Sequence, residues 1–525
     1  MTTDNPTRNI PYLILTATIS GALVMVLEVL GSKIIGPFFG VSLFVWTSLI
    51  TVTLLALSIG YAAGGILADK RNHPDYLYLI IALAGILVLC IPFMKNKVIL
   101  FCQPMGLRSG AFLSTLIIFG PPLLLLGCVS PYIVRLATKG TENIGRVVGI
   151  FYALSTLGSF LGTVLTGFVL IAYFSISKTF IYIGLLLLLI PAVYFVVFRK
   201  KWVAILCFAA FIPLAFMQHD TMRSKVMQNG TRVTEVFRKD SFYGTLKVVD
   251  YSFASNHSRE LIIDGLVQGG IDLTNHKSIY EYAYYMELLP YLLNPQGKEC
   301  LVIGLGAGVI PMWYEKMGIR TDVVDISEDI EKIAKTYFGF TLVGDMHIQD
   351  ARFFLSNTKK KYDYIILDVF TGDTTPAHLL SKEALQQIKD CLAPEGIVAL
   401  NLFGSLRNET FITASVLKTL GEVFRTVQIY TTFDQHAGDG IGNLAVMAYD
   451  GSARPVRADA ASTFDIHPLA VDSIRRHFGK TFAFAPNTPA MVLTDDYNPV
   501  DYHDVWMKEQ VRKSIVQETD PDILL

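Results

Sequence analysis

Hydrophobic positions fall into two regimes along this chain. Up to about residue 217 they form long, nearly uncharged runs, near 12–35, 42–68, 76–94, 111–134, 147–173, 179–198 and 202–217. A helix needs about 20 apolar residues to cross a bilayer, so the first six runs predict spanning helices. The seventh, "WVAILCFAAFIPLAFM", offers 16 residues and contains Pro213. At about 1.5 Å per residue it covers ~24 Å of a hydrocarbon core about 30 Å thick, which leaves a true span and an interfacial segment both open. From 218 onward the period changes. "TRVTEVFRKDSFYGTLKVVDYS" and "RELIIDGLVQGGIDL" alternate in the manner of strands between turn residues. "SIYEYAYYMELLPYLL" returns to a helical period, with Tyr280, Tyr284 and Leu288 on one face. Short apolar runs and amphipathic segments then alternate: "ECLVIGLG" with "VIPMWYEKMG", "RTDVVDIS" with "EDIEKIAKTYF", "MHIQD" with "ARFFLSNT", "YDYIILDVF" with "SKEALQQIKDCL", and "GIVALNLF" with "ETFITASVLKTLGEV". The expected fold is a multi-pass α-helical membrane domain of about seven helices (1–217), a small β-domain (218–275) and a doubly wound, Rossmann-like α/β domain (276–525).

Composition supports this division. The 525 residues are 52% hydrophobic and only 17% charged, against roughly 25% charged in an average soluble protein. The net charge of −1 gives no reason to expect a nucleic-acid partner. The six cysteines include Cys300 and Cys391 in apolar contexts, and their spacing suggests neither a disulfide framework nor a zinc site. No signal peptide is expected, because the first apolar run lacks a basic leader and a small-residue cleavage site. In the short loops, Lys70, Arg71, Arg135, Lys139, Arg146, Arg199, Lys200 and Lys201 follow even-numbered helices, against Lys95, Lys97, Arg108 and Lys178 after odd-numbered ones. That bias places the N-terminus inside, and an interfacial seventh segment would keep the soluble half in the cytoplasm. "GYAAGGILADKR", residues 60–71, resembles the cytoplasmic loop motif of major facilitator transporters, so a non-catalytic transporter or sensor is one of the readings.

The candidate chemistry lies at the predicted strand ends, where doubly wound sheets bind ligands. Gly304, Gly306 and Gly308 let a ligand approach the backbone closely. Asp325 ends the next strand, where a carboxylate can accept both ribose hydroxyls; Asp350 ends the third, where it can receive an adenine amino group; Asp368 ends the fourth. Helix capping would explain any one of these acids, and all three together poorly. The third-strand acid and the lack of a tight G-x-G-x-x-G favour an S-adenosyl compound over a dinucleotide. No metal site and no tightly bound cofactor are expected.

These segments resemble a known family. "LIIDGLVQ", "VVDISEDIEKIAKTYF" and "YDYIILDVFTGDTTPAHLLSKEAL" are similar to the β-domain signature, ribose-binding segment and catalytic segment of the spermidine synthases, over about residues 232–450. The whole chain is similar to bacterial membrane-fused spermidine synthase-like proteins. The resemblance implies aminopropyl transfer from decarboxylated S-adenosylmethionine to a diamine such as putrescine, giving spermidine and methylthioadenosine, in the inner cell membrane. It implies that Gln268 contacts the nucleoside or its sulfur side, that Asp325 holds the ribose, that Asp350 and Ala351 hold the adenine, and that Asp368 stands beside the reacting amine. The chain departs from the family twice. The aspartate that grips the aminopropyl ammonium is replaced by Ala307, and Thr371 stands at the offset of the second catalytic acid, with Asp373 the nearest replacement. The altered amine half keeps a second reading in play, methyl transfer from intact S-adenosylmethionine. "LTDDYNPVDYHD" offers Asp495 and Asp496 as further acids, "FDQHAGDGIGN" reads as a lid, and tyrosines 280, 282, 284 and 285 are candidate pocket residues. The expected partners are a small-molecule amine and the lipid bilayer, with a homodimer left open.

Overall fold

The computed structural model describes residues 10–40, 43–138, 144–216, 224–227, 229–241, 243–370, 375–435, 438 and 440–518. The chain divides into two compact units, Met1–Thr221 with Lys239–Thr245, and Met222–Arg238 with Leu246–Ile523.

In the first unit, among the described residues, six helices are long and apolar enough to cross a membrane: Ile10–Phe39, Phe44–Lys70, Pro74–Met105, Leu107–Ala137, Ile144–Leu170 and Ile176–Val197. The seventh apolar run instead forms a short helix, Val203–Ala209, and a 3-10 turn, Ile212–Phe216. The third and fourth helices run closer together than the hydropathy pattern suggests. Lys95 and Lys97, expected in a loop, lie inside a helix, and Arg108 lies in the first turn of the next. Positive-φ Gly106 makes the break between them. Small residues set the packing. A Cβ on Gly60 or Gly64 would collide with the backbone of Leu124 or Cys128, and one on Gly158 or Gly162 with that of Thr18 or Ala22. Such backbone-to-backbone approach is how helices associate where no water drives them together.

The second unit carries two sheets. Strands β1 (Ser224–Val226), β2 (Arg232–Ser241), β3 (Gly244–Phe253), β4 (Asn256–Ile263) and β5 (Leu266–Asp272) form a five-stranded sheet in sequence order. A bulge between Leu261 and Ile262 opposite β5 falls at Gln268. Strands β6 (Glu299–Ile303), β7 (Arg320–Asp325), β8 (Met346–Ile348), β9 (Tyr362–Leu367), β10 (Leu392–Ser405), β11 (Thr426–Thr431), β12 (Ile441–Tyr449) and β13 (Thr481–Phe482) form the larger sheet, in the order β13-β11-β12-β10-β9-β6-β7-β8. Its β6–β10 part is parallel, while β11, β12 and β13 add an antiparallel edge. Each predicted strand–helix alternation from 299 to 423 is present, as Val309–Lys316, Glu328–Tyr337, Ala351–Asn357, Lys382–Asp390 and Phe411–Val423 between the strands. The order reverses between β9, β6 and β7, and the crevice at such a reversal is where open α/β sheets take ligands. One buried cluster joins Leu246, Val248, Leu261 and Ile271 of the smaller sheet to Tyr285, Leu288 and Val302. The hairpin carrying Gln268 is therefore packed into the same core as β6.

Candidate active site

The glycine turn leaves β6 with three residues at positive φ: Gly304 at 94°, Gly306 at 52° and Gly308 at 78°. At Gly304 a side chain would strike the carbonyl oxygen of Asp368, so the β6 and β9 ends touch through backbone alone. At Gly306 a Cβ would lie 3.1 Å from the Gln268 carbonyl oxygen, which brings the β5 bulge over the turn.

Asp325, at the end of β7, accepts the Leu305 N–H at 2.9 Å and the Ser327 N–H at 2.8 Å. One carboxylate thus ties the glycine turn to the start of the following helix. Burial pushes its carboxyl up, and the backbone donors hold it down. Asp350 caps the helix Ala351–Asn357, accepting the Phe353 N–H at 3.0 Å, and His378 Nε2 lies 3.6 Å from its other oxygen. The capping role raised for these acids is real for Asp350, whose carboxylate is half-exposed. Ala351 follows as the first helical residue, half-buried.

Asp368 follows β9. Its Oδ1 accepts from Asn401 Nδ2 at 2.8 Å, and Asn401 Oδ1 in turn accepts from Asn443 Nδ2 at 3.0 Å. Burial pushes the Asp368 carboxyl up to about 6, against the Asn401 donor, which favours the charged form. Tyr282, from the helix Glu281–Leu293, donates to the Gln268 carbonyl at 3.3 Å. Its hydroxyl pKa is raised first by burial, then by the charges of Asp368 and Glu287. The other three tyrosines are engaged elsewhere. Tyr280 donates to Glu260 at 2.6 Å, Tyr284 donates to the Ser278 carbonyl, and Tyr285 is fully buried against Phe478. Ala307 is 3% exposed, and a Cβ on Gly269 would lie 3.3 Å from its methyl group. The position that the resemblance assigns to an ammonium-binding carboxylate is here a closed apolar contact.

Gln268, Gly304, Gly306, Asp325 and Asp368 are thus gathered around the β6–β9 crest, with Asp350 and Ala351 at the end of the neighbouring β8. Asp373, Thr371 and the lid residue His436 lie outside the described residues. Asp495 is no spare catalytic acid: Arg352 grips both its oxygens, at 2.7 and 2.9 Å. Sequence reasoning missed Asn401 and Asn443. Asn401 is 1% exposed in the apolar run "GIVALNLF", and a single amide inside a central strand was the signal available.

Comparison with known proteins matches this unit. The Spermine/spermidine synthase domain matches residues 279–448. A polyamine aminopropyltransferase of Vibrio vulnificus is 31% identical over 233 residues, covering 43% of this chain and 76% of that one. Another, of Thermoplasma acidophilum, is 28% identical over 205 residues, covering 37% and 73%. The N-terminal histidine N-methyltransferase of Emericella nidulans is 33% identical over 139 residues, covering 26% of this chain and 25% of that one.

Proposed function

The chain belongs to the polyamine aminopropyltransferase family, a transferase of the spermidine synthase type, and from that premise we propose that this site moves an aminopropyl group from decarboxylated S-adenosylmethionine to a diamine such as putrescine. The products would be the elongated polyamine, spermidine in that case, and methylthioadenosine. Asp325 would accept the ribose hydroxyls, the turn Gly304–Gly306 would let the sugar reach the backbone, and Asp350 with Ala351 would receive the adenine edge. Ile326, 44% exposed beside Asp325, offers an apolar surface for the base. Gln268 would close over the nucleoside from β5.

The observation that carries the reading is Asp368, a half-buried carboxylate at the crest that is held by Asn401 and pushed up to about 6, which suits a proton acceptor at neutral pH. The acceptor amine, protonated in water with a pKa near ~10.4, would lose its proton to Asp368. Its lone pair would then form a bond to the methylene carbon on sulfur. The carbon–sulfur bond breaks, its electron pair stays on sulfur, and the sulfonium becomes a neutral thioether. Positioning of amine and sulfonium in line supplies the rest of the rate. Asp373, in the same chain segment, is the second candidate proton acceptor.

One observation favours a second reading. With Ala307 buried where an ammonium would be gripped, nothing at that position disfavours the carboxylate of intact S-adenosylmethionine, and methyl transfer becomes the alternative. Mass spectrometry of products after incubation with each nucleoside and a panel of diamines tests both. Methylthioadenosine with an elongated amine supports aminopropyl transfer; S-adenosylhomocysteine with a methylated acceptor replaces it by methyl transfer.

For placement, six spans from an inside N-terminus return the chain to the cytoplasm, where S-adenosyl donors are made. Single cysteines at Ser255 and Asn357, in a background free of native cysteines, test this. Labelling of both by an impermeant reagent in intact cells would put the domain outside.

A further inference from the structure

Residues 491–498, which overlap the acidic motif and include the engaged Asp495, make an unusual set of bonds. The segment is anchored on the helix Phe411–Val423: Met491 N–H donates to Ser415 Oγ at 3.0 Å, and Leu493 N–H to Thr419 Oγ1 at 2.9 Å. From there it reaches the exit of the segment that follows Asp368. The Leu493 carbonyl accepts the Lys382 N–H at 2.8 Å, and Asn498 Nδ2 donates to the Ala377 carbonyl at 2.7 Å. Ser381 Oγ, which caps the helix Lys382–Asp390, donates to Asp495 Oδ1 at 2.5 Å. The same Asp495 takes the two-pronged grip of Arg352, two residues into the helix that Asp350 caps. Farther on, Arg512 of the helix Val505–Glu518 donates to the Asp264 carbonyl at 2.8 Å, at the turn joining β4 to the Gln268 strand.

These bonds fall unequally on the two sides of the site. The helix Ala351–Asn357 also holds Phe354 and Leu355 in the core, so the adenine side has support of its own. Along the stretch that follows the Asp368 segment, the Ala377 carbonyl, the Ser381 hydroxyl and the Lys382 N–H are all bonded to residues 493–498, while the His378 carbonyl between them accepts a single bond from Arg352 at 3.4 Å. These three groups lie just after the chain has passed Asp368 and residue 373. We propose that the C-terminal segment 491–498 is a positioning element for the transfer reaction: through Asp495 and Asn498 it fixes the exit of the Asp368 segment and so sets where the acceptor amine stands. The inference rests on the transferase reading of the site. It makes Asp495 a positioning residue acting through Arg352 and Ser381, because its carboxylate is taken up by them. A misplacement of about 1 Å at such a support can cost a hundredfold in rate with no contact to substrate lost.

The test uses the full-length protein in detergent or nanodiscs, with Asp495→Asn, the milder Asn498→Ala, and the charge exchange Asp495→Arg with Arg352→Asp. Three quantities are read: methylthioadenosine affinity, kcat and acceptor KM, and amide hydrogen exchange over residues 375–382 with methylthioadenosine bound. Asp495→Asn is expected to speed exchange over 375–382 and lower kcat/KM for the acceptor about tenfold, with nucleoside affinity held within about twofold. The charge exchange should recover part of both losses, and Asn498→Ala should show a smaller version in a fold less at risk. Unchanged exchange over 375–382 would overturn the proposal, as would nucleoside affinity falling in parallel with kcat/KM. If the parent protein transfers no group to any acceptor, the proposed reaction fails. Exchange and nucleoside affinity then still decide whether the segment holds the acceptor side.

Discussion

The proposed nucleoside side and the proposed acceptor side of this site are held by different kinds of bond. Asp325 and Asp350 are fixed by backbone N–H groups of neighbouring residues and turns, at 2.8 to 3.0 Å. Asp368 is fixed by a side-chain relay, Asn443 to Asn401 to carboxylate, that crosses three strands. Backbone donors come with the fold, and any sequence able to form the turn supplies them. A relay of side chains needs particular residues at particular registers. The proposed nucleoside side is therefore tied to the fold itself, and the proposed acceptor side depends on particular side chains.

The sharpest way to separate the two halves is to remove the charge on Asp368. Asp368→Asn keeps the shape and still accepts from Asn401. It should lower kcat by about 10²–10⁴-fold, the usual contribution of a positioned base, while methylthioadenosine affinity stays within about twofold. A variant turning over at the parent rate would remove Asp368 from the mechanism. The same group gives the pH dependence. A base must be ionised, so kcat/KM should rise with pH through about 6 and level off above it, and the limb should vanish in the variant. Stability runs the other way. A carboxyl whose folded pKa is raised contributes stability that is fully present below its unfolded value near ~3.9 and lost as pH rises through about 6. Asp368→Asn should therefore be more stable than the parent at pH 8, by roughly 1–3 kcal/mol, and nearly equal to it at pH 4. A denaturation series at the two pH values checks the sign.

The complementary break is Asp325→Ala. It should weaken methylthioadenosine about ten- to a hundredfold, from loss of charge-assisted bonds worth roughly 1.5–3 kcal/mol. Because Asp325 also holds Leu305 and Ser327, Asp325→Asn is the informative companion, since it keeps one acceptor oxygen for those N–H groups. Unchanged affinity in both would dissolve the nucleoside half of the comparison.

The same contrast explains what could be read in the sequence. The spans, the strand–helix alternation and the acids at Asp325, Asp350 and Asp368 follow from local periodicity, and parallel strands bring their ends into line whatever lies between. Gln268 came from the family resemblance. Tyr282 could not be told from its neighbours, because four tyrosines share one short stretch and only packing decides which hydroxyl reaches the β5 carbonyl. Asn401 with Asn443, and Arg352 with Asp495, meet across sheet register and chain end, and no period or spacing encodes those meetings. The antiparallel edge β11–β13 went unassigned because its strands are separated by irregular, polar segments.

The smallest expected effect bears on the substitution that most distinguishes the acceptor side. At Ala307 the parent has no charge to offer a donor's tail, so decarboxylated and intact S-adenosylmethionine should bind within about threefold of each other. Ala307→Asp would place a carboxylate at a position 3% exposed and close to Gly269. An unpaired charge there is costly, and the group would either protonate or destabilise the apo protein. Only a ligand carrying an ammonium without a carboxylate relieves that cost. The variant should melt lower than the parent when empty. It should also shift preference toward the decarboxylated nucleoside by about tenfold, the scale of one charge-assisted pair. Methylthioadenosine, which lacks the aminopropyl chain, is the control and should give the variant no extra stabilisation. If the parent already prefers the decarboxylated form a hundredfold, another carboxylate performs the grip, and Asp368 or Asp373 would be examined first. If Ala307→Asp gains no preference, the tail of the donor does not pass position 307, and the acceptor side of this site is built differently from the family it resembles.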